Sequence, residues 1–256
     1  MLQLIALPVV GFIIGLFIIS LGGGGGAFYV GILTGLFNIS PAIAASTSLA
    51  TMIPTTGVGA YSHWRAGNVS IKNGLWMLAG AAGGAVAGSL CSGLLPQDVY
   101  SKISGFFLIG LSVQMFVQII KSRKPEEAQT GDAPKQTSVL VPVLYGILGG
   151  AMSGLIGISG SGPIVVGLSV LGCSALQIVG TSVLVLFGVS ATGFLMHLQF
   201  GDIDWPLVGL LLIGTTLGAF IGPQLLKKIN KNKLEKGLKP VLFCLTVVMG
   251  ILILLK

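Results

Sequence analysis

Two stretches, 22-GGGGG-26 and 157-GISGSG-162, decide how this chain folds. Each interrupts a long apolar run. Each is followed by a short apolar piece, 27–37 and 163–171, too short to cross a membrane alone. Glycine interrupts a helix and lets backbone approach a ligand closely. In lipid, broken backbone survives only where it is buried in protein or lines a water-filled cavity. A half-helix starting after such a break aims free N–H groups and its positive dipole end at that cavity. Two breaks at corresponding places in two halves of a chain are the best sequence pointer to a transport site. The competing structural reading is tight helix packing through small residues. That is the reading for Gly80, Gly84, Gly88, Gly214, Gly218 and Gly222.

The rest of the composition agrees that lipid is the solvent. Of 256 residues, 53% are hydrophobic and 8% charged, with a mean hydropathy of +0.97. A soluble domain carries roughly 25% charged residues. This excludes a soluble globular enzyme, a disordered chain and a disulfide scaffold. The remaining apolar runs are 2–21, 42–61, 73–95, 102–120, 139–157, 175–197, 206–226 and 239–255. About 20 helical residues span the hydrocarbon core of roughly 30 Å. The expected fold is therefore an all-α polytopic membrane protein of 8–10 membrane segments, two of them short broken or re-entrant helices. The runs do not alternate in polarity, which excludes a strand barrel. The first run lacks a basic start and a cleavage site, so it reads as a retained helix. Cys91, Cys173 and Cys244 lack metal-ligand spacing and read as small buried residues.

The two halves resemble each other. Thr47-Ser48 aligns with Thr181-Ser182, and at that spacing Gly59 meets Gly193, His63 meets His197 and Gly67 meets Gly201. With a one-residue shift, Gly11, Gly15, Gly22 and Gly25 meet Gly146, Gly150, Gly157 and Gly160. Glycine matches come easily in a chain with 40 glycines, but the chain has only two histidines. Residues 1–120 therefore read as a first transmembrane repeat, 121–138 as a polar cytoplasmic linker, and 139–256 as a second transmembrane repeat.

Charge sets the orientation. Lys121, Arg123, Lys124 and Lys135 lie in the linker, and Lys227, Lys228, Lys231, Lys233, Lys236 and Lys239 in a second run. By the positive-inside rule both face the cytoplasm, as does the turn with Arg65 and Lys72, while the turn with Asp202 and Asp204 lies outside. Equivalent turns on opposite sides require an odd number of passes per half, hence inverted repeats with both termini outside. All seven acids fall outside the apolar runs. An intramembrane carboxylate relay and a cation substrate are both disfavoured.

The candidate site is assembled from donors without charge. At the breaks, Gly24, Gly25 and Gly26 stand in the first half, and Ser159, Gly160, Ser161 and Gly162 in the second. Ser46, Thr47, Ser48, Thr181 and Ser182 add hydroxyls, which donate to an anion oxygen. At the start of a helix they could converge with backbone N–H groups. The alternative for them is back-bonding to a carbonyl of the preceding turn, as for Thr51, Thr55, Thr56, Ser190 and Thr192. His63 and His197 close long apolar runs and are candidates for a gate or proton coupling, or simply interfacial residues. Arg65, beside Trp64, reads as an interface anchor or as part of an electropositive vestibule. No catalytic constellation, metal-ligand set or cofactor motif is expected, and GGGGG lacks the Gly-Lys-Ser/Thr of a phosphate loop. The expected partners are the bilayer, a small anion and a second copy in a homodimer, with no nucleic acid.

The Gly-rich breaks, the Thr-Ser pairs and the doubled turns 63-HWRAGNV-69 and 197-HLQFGDI-203 resemble the TauE/SafE family, also called the 4-toluene sulfonate uptake permease family. The resemblance covers essentially the whole chain. It implies a bacterial inner-membrane permease for sulfite, sulfonates or other small sulfur-containing anions, often an exporter. One departure stands out. A Pro common after the short piece in the family is replaced here by Gly31 and by Val166 or Gly167, and Pro163 opens the second piece. A passive anion channel and a non-transporting membrane subunit remain as alternatives. A membrane enzyme is the weakest reading.

Overall fold

The computed structural model describes residues 2–21, 25–121, 138–200, 203–228, 243–244 and 247–255. Gly24, most of the linker, Asp202 and much of the second Lys run lie outside these residues. Among the described residues the chain is helical: α1 (Leu2–Leu21), α2 (Gly26–Gly35), α3 (Pro41–Arg65), α4 (Ile71–Leu94), α5 (Gln97–Lys121), α6 (Leu140–Ile156), α7 (Ser161–Val170), α8 (Ala175–Phe200) and α9 (Trp205–Lys228). A further helix, α10, runs over 247–254. The two short apolar pieces are indeed separate short helices of ten residues each.

Local chemistry sets the boundaries. Ser40 caps α3, accepting from the Ile43 N–H at 3.4 Å, with Pro41 preset for the first turn. Ser174 and Gln177 form a reciprocal capping box at the start of α8, at 3.4 and 3.1 Å. Asp204 Oδ1 accepts from the Leu207 N–H at 3.0 Å at the start of α9. α6 stops at Gly157, whose φ of 66° suits a residue without Cβ. Pro163 falls in the first turn of α7, where no N–H is needed, so it does not disturb the helix.

Glycines then decide which helices touch. A Cβ on Gly80, Gly84 or Gly88 would run into the backbone of Val143, Ile147 or Ala151, so α4 lies flush against α6. The contact advances in the same direction on both helices, which makes them parallel. α1 and α9 repeat the arrangement: Gly11 faces Leu211 and Thr215, Gly15 faces Thr215, and Gly214 faces Pro8. For helices in lipid, such close approach would supply the packing that a hydrophobic drive cannot. α3 and α8 run antiparallel, since Gly59 meets Val183 while Gly193 meets Leu49. α8 is parallel to α4, through Gly74 on Thr181 and Gly188 on Leu78. α7 runs back along α6, with Gly167 on Tyr145 and Gly149 on Ile164.

Two apolar clusters follow. One gathers α2 with α1, α3, α5 and α9 around Tyr29, Leu33, Met52 and Leu211. The other gathers α7 with α4, α6 and α8 around Met77, Ile164, Leu168 and Leu186. The outward faces are apolar too: Phe106, Leu148, Leu195, Ile213 and Phe220 are exposed. Among the described residues, α4 and residues 175–199 of α8 have the length and apolarity of membrane spans. The cysteines depart from expectation. Cys91 and Cys244 are exposed, Cys173 is half-buried, and all three are free thiols.

Candidate functional site

The described end of the first glycine run, Gly25-Gly26, meets the second run, 157–162. Ser48, fully buried in α3, places its Oγ 3.1 Å from the Gly157 carbonyl and 3.4 Å from the Gly26 carbonyl. A Cβ on Gly26 would stand 2.6 Å from the Ser159 nitrogen, and one on Gly157 would strike Ala45. Gly160 lies so close to the Gly149 carbonyl that only glycine fits. Met52 closes the same space beside Gly26.

Each half-helix begins at this junction. Gly25 precedes α2, and its carbonyl accepts from the Phe28 and Tyr29 N–H groups at 3.1 and 3.3 Å. Gly160 precedes α7, which starts at Ser161 and Gly162. The first turn of a helix leaves N–H groups without intrahelical acceptors. The ends of α2 and α7 therefore offer donors and two positive dipole ends. The single Ser48 O–H meanwhile lies between the Gly157 and Gly26 carbonyls, with its shorter contact to Gly157.

The hydroxyls divide. Ser46, Thr47 and Ser48 lie in the second turn of α3, not at its start, so their N–H groups belong to the helix. Ser46 Oγ bonds the Ile43 carbonyl at 3.0 Å. Thr47 Oγ1 is buried without a hydrogen-bond partner, as is Ser153 Oγ in α6. Thr181 is not at the junction. It sits by the α3–α4 turn, where its Oγ1 accepts from the Ser70 N–H at 2.9 Å. Ser182 bonds the Val179 carbonyl at 2.9 Å. By the antiparallel register of α3 and α8, Ser48 and Ser182 are about 12 residues apart along the bundle, or roughly 18 Å. Thr51, Thr55, Thr56 and Thr192 bond back to the preceding turn of their own helix at 2.6–3.0 Å.

The histidines lie at opposite ends of the α3–α8 pair. His63 is half-buried beside Gly180. His197 is 3% exposed and holds its Nε2 2.9 Å from the Gly154 carbonyl. Arg65 is exposed, its guanidinium 6.0 Å from the Tyr61 ring centre, and Tyr61 neighbours Trp64. That cluster of aromatics and cation is an interfacial anchor in form. Sequence reasoning missed Ala45, Met52 and Ser153, which carry no pattern beyond small or apolar type. It also missed Tyr29, whose hydroxyl lies 2.7 Å from Thr215 Oγ1 in the apolar packing of α2 against α9.

The model of the family described as Sulfite exporter TauE/SafE matches residues 7–253. The chain belongs to this family. A Bacillus subtilis (strain 168) relative, "Probable membrane transporter protein YdhB", is 32% identical over 246 residues, covering 95% of this chain and 97% of the relative. A Sinorhizobium relative, "Probable membrane transporter protein ORF9", is 28% identical, covering 93% and 87%. A second Bacillus subtilis (strain 168) relative, "Probable membrane transporter protein YjnA", is 25% identical, covering 87% and 92%. No solved structure matches. Membership in the TauE/SafE family makes the chain a membrane transport protein.

Proposed function

We propose that this TauE/SafE protein is a multi-pass secondary transporter of the bacterial inner membrane that exports a small sulfur-containing oxyanion, such as sulfite, a sulfonate or thiosulfate. The observation that carries the reading is the meeting of both glycine breaks at Ser48. Neutral donors from the starts of α2 and α7 replace the anion's hydration shell. Thr47 Oγ1, buried without a partner, adds a hydroxyl. Neutral donors bind weakly enough to release the ion on the far side.

The halves act as inverted repeats that rock against each other. Two observations support this. The first helix of each half packs on the fourth helix of the other, as α1 on α9 and α6 on α4. The third helices of the two halves, α3 and α8, are antiparallel. A homodimer fits the large apolar outer surface.

The test is a thermal-shift panel of sulfite, thiosulfate, sulfate, sulfoacetate and taurine on purified protein. A ligand that binds only the folded state raises its melting point. Thr47→Val is expected to weaken the shift given by the active anion. Unchanged affinity in that variant would remove Thr47 from the site. A passive anion channel is separated by flux that neither saturates nor responds to anion on the opposite side.

A further inference from the structure

We infer that His197 is a gate latch, holding the broken end of α6 shut against α8, and that His63 serves the opposite gate. The inference deepens the transport reading and rests on it. α6 makes its last ladder bond from the Gly157 N–H to the Ser153 carbonyl, at 2.8 Å. The next carbonyl, Gly154, loses its helical donor because the chain turns away. Side chains of two other helices take its place: His197 Nε2 of α8 at 2.9 Å and Ser89 Oγ of α4 at 3.3 Å. A carbonyl only accepts, so Nε2 carries the hydrogen. A Cβ on Gly154 would strike the Ala85 carbonyl, so glycine is what admits α4 to this point. One carbonyl, three residues before the break, thus ties α4, α6 and α8 together.

Such a bond suits a gate. The helix has already released the carbonyl, so breaking the latch unfolds nothing. The two histidines also differ in a telling way. His197 is sealed, whereas His63, its counterpart at the other end of α3–α8, is half-buried. A transporter of paired repeats closed at one end and less closed at the other shows this difference. In the opposite state His63 closes on the corresponding stretch of α1, near the Ile19 carbonyl. His197 is a positioning residue in this scheme and does not touch the anion.

The experiment uses full-length protein in liposomes, with Cys91, Cys173 and Cys244 replaced and Ser153→Cys as reporter. A membrane-impermeant maleimide is added at the face holding the α8–α9 turn. His197→Ala is expected to label about tenfold faster, the shift that losing one buried hydrogen bond produces. His197→Gln, which keeps a donor, is expected to label near the parent rate. Equal rates in all three proteins, or a His197→Gln variant as fast as His197→Ala, would overturn the latch. Faster labelling from both faces with a lowered melting point would make the contact structural only and also overturn it. A sulfite thermal shift on the same proteins reads the substrate separately. Its absence in the parent would remove sulfite as substrate while leaving the labelling result intact.

Discussion

Ser48 and Gly157 are 109 residues apart in the chain, yet the Ser48 hydroxyl donates to the Gly157 carbonyl across 3.1 Å. The bond joins the second turn of one helix to the broken end of another. Removing it leaves a buried carbonyl short of a donor, which costs about 1–3 kcal/mol. Ser48→Ala is therefore expected to lower the melting temperature of the detergent-solubilised protein and to reduce transport. A variant with full stability and full transport would show that Ser48 does not organise the junction.

Thr47 and Thr181 occupy equivalent places in the two halves but have different surroundings. Thr181 Oγ1 accepts from the Ser70 N–H, while Thr47 Oγ1 is buried without a partner. Thr181→Val should destabilise by about 1–2 kcal/mol with little change in anion affinity. Thr47→Val should leave stability unchanged or raised and weaken affinity. Paired melting curves and binding titrations check both, and the reverse pattern would exchange the roles.

The glycines at helix–helix contacts in the structure can be tested against one that faces open space. A Cβ on Gly150 would strike the Ala81 carbonyl, whereas Gly83 on α4 has nothing within 4 Å. Gly150→Ala is expected to force α4 and α6 apart and cost about 2–3 kcal/mol. Gly83→Ala should be neutral or stabilising by up to about 1 kcal/mol, since alanine favours the helix. Equal melting temperatures for the two variants would contradict the flush contact.

Tyr29 fixes α2 to α9 through Thr215, whose own hydroxyl also reaches the Leu211 carbonyl at 2.6 Å. Because Thr215 keeps that second partner, Tyr29→Phe should cost only about 1 kcal/mol. Its transport rate should remain near that of the parent. A large loss of transport at normal stability would bring Tyr29 into the solute path.

The helices were legible because their signals are local. Hydropathy placed the apolar runs, and the glycine breaks separated α2 and α7 from their neighbours. Ser40-Pro41 and Ser174…Gln177 fix the starts of α3 and α8 through bonds only three residues long. The site was legible only in part, because its contacts are distant in sequence. That Ser48 reaches both breaks depends on how α3 threads between α2 and α6. The duplicated Thr-Ser pairs suggested one shared cluster, but α3 and α8 are antiparallel, so equivalent residues move apart along the bundle. His197 stood out as one of two histidines, yet nothing local marked the Gly154 carbonyl as its acceptor. The cysteines misled because an apolar neighbourhood in sequence does not separate a buried face from an exposed one.

Carrier action at the junction is read most directly as flux of radiolabelled sulfite into liposomes containing the purified protein, with and without unlabelled sulfite trapped inside. A carrier with its site at the Gly26–Ser48–Gly157 junction gives uptake that saturates, is accelerated by trapped anion, and falls sharply in Ser48→Ala. Flux that rises linearly with sulfite, ignores the trapped anion and is unchanged in Ser48→Ala would contradict it.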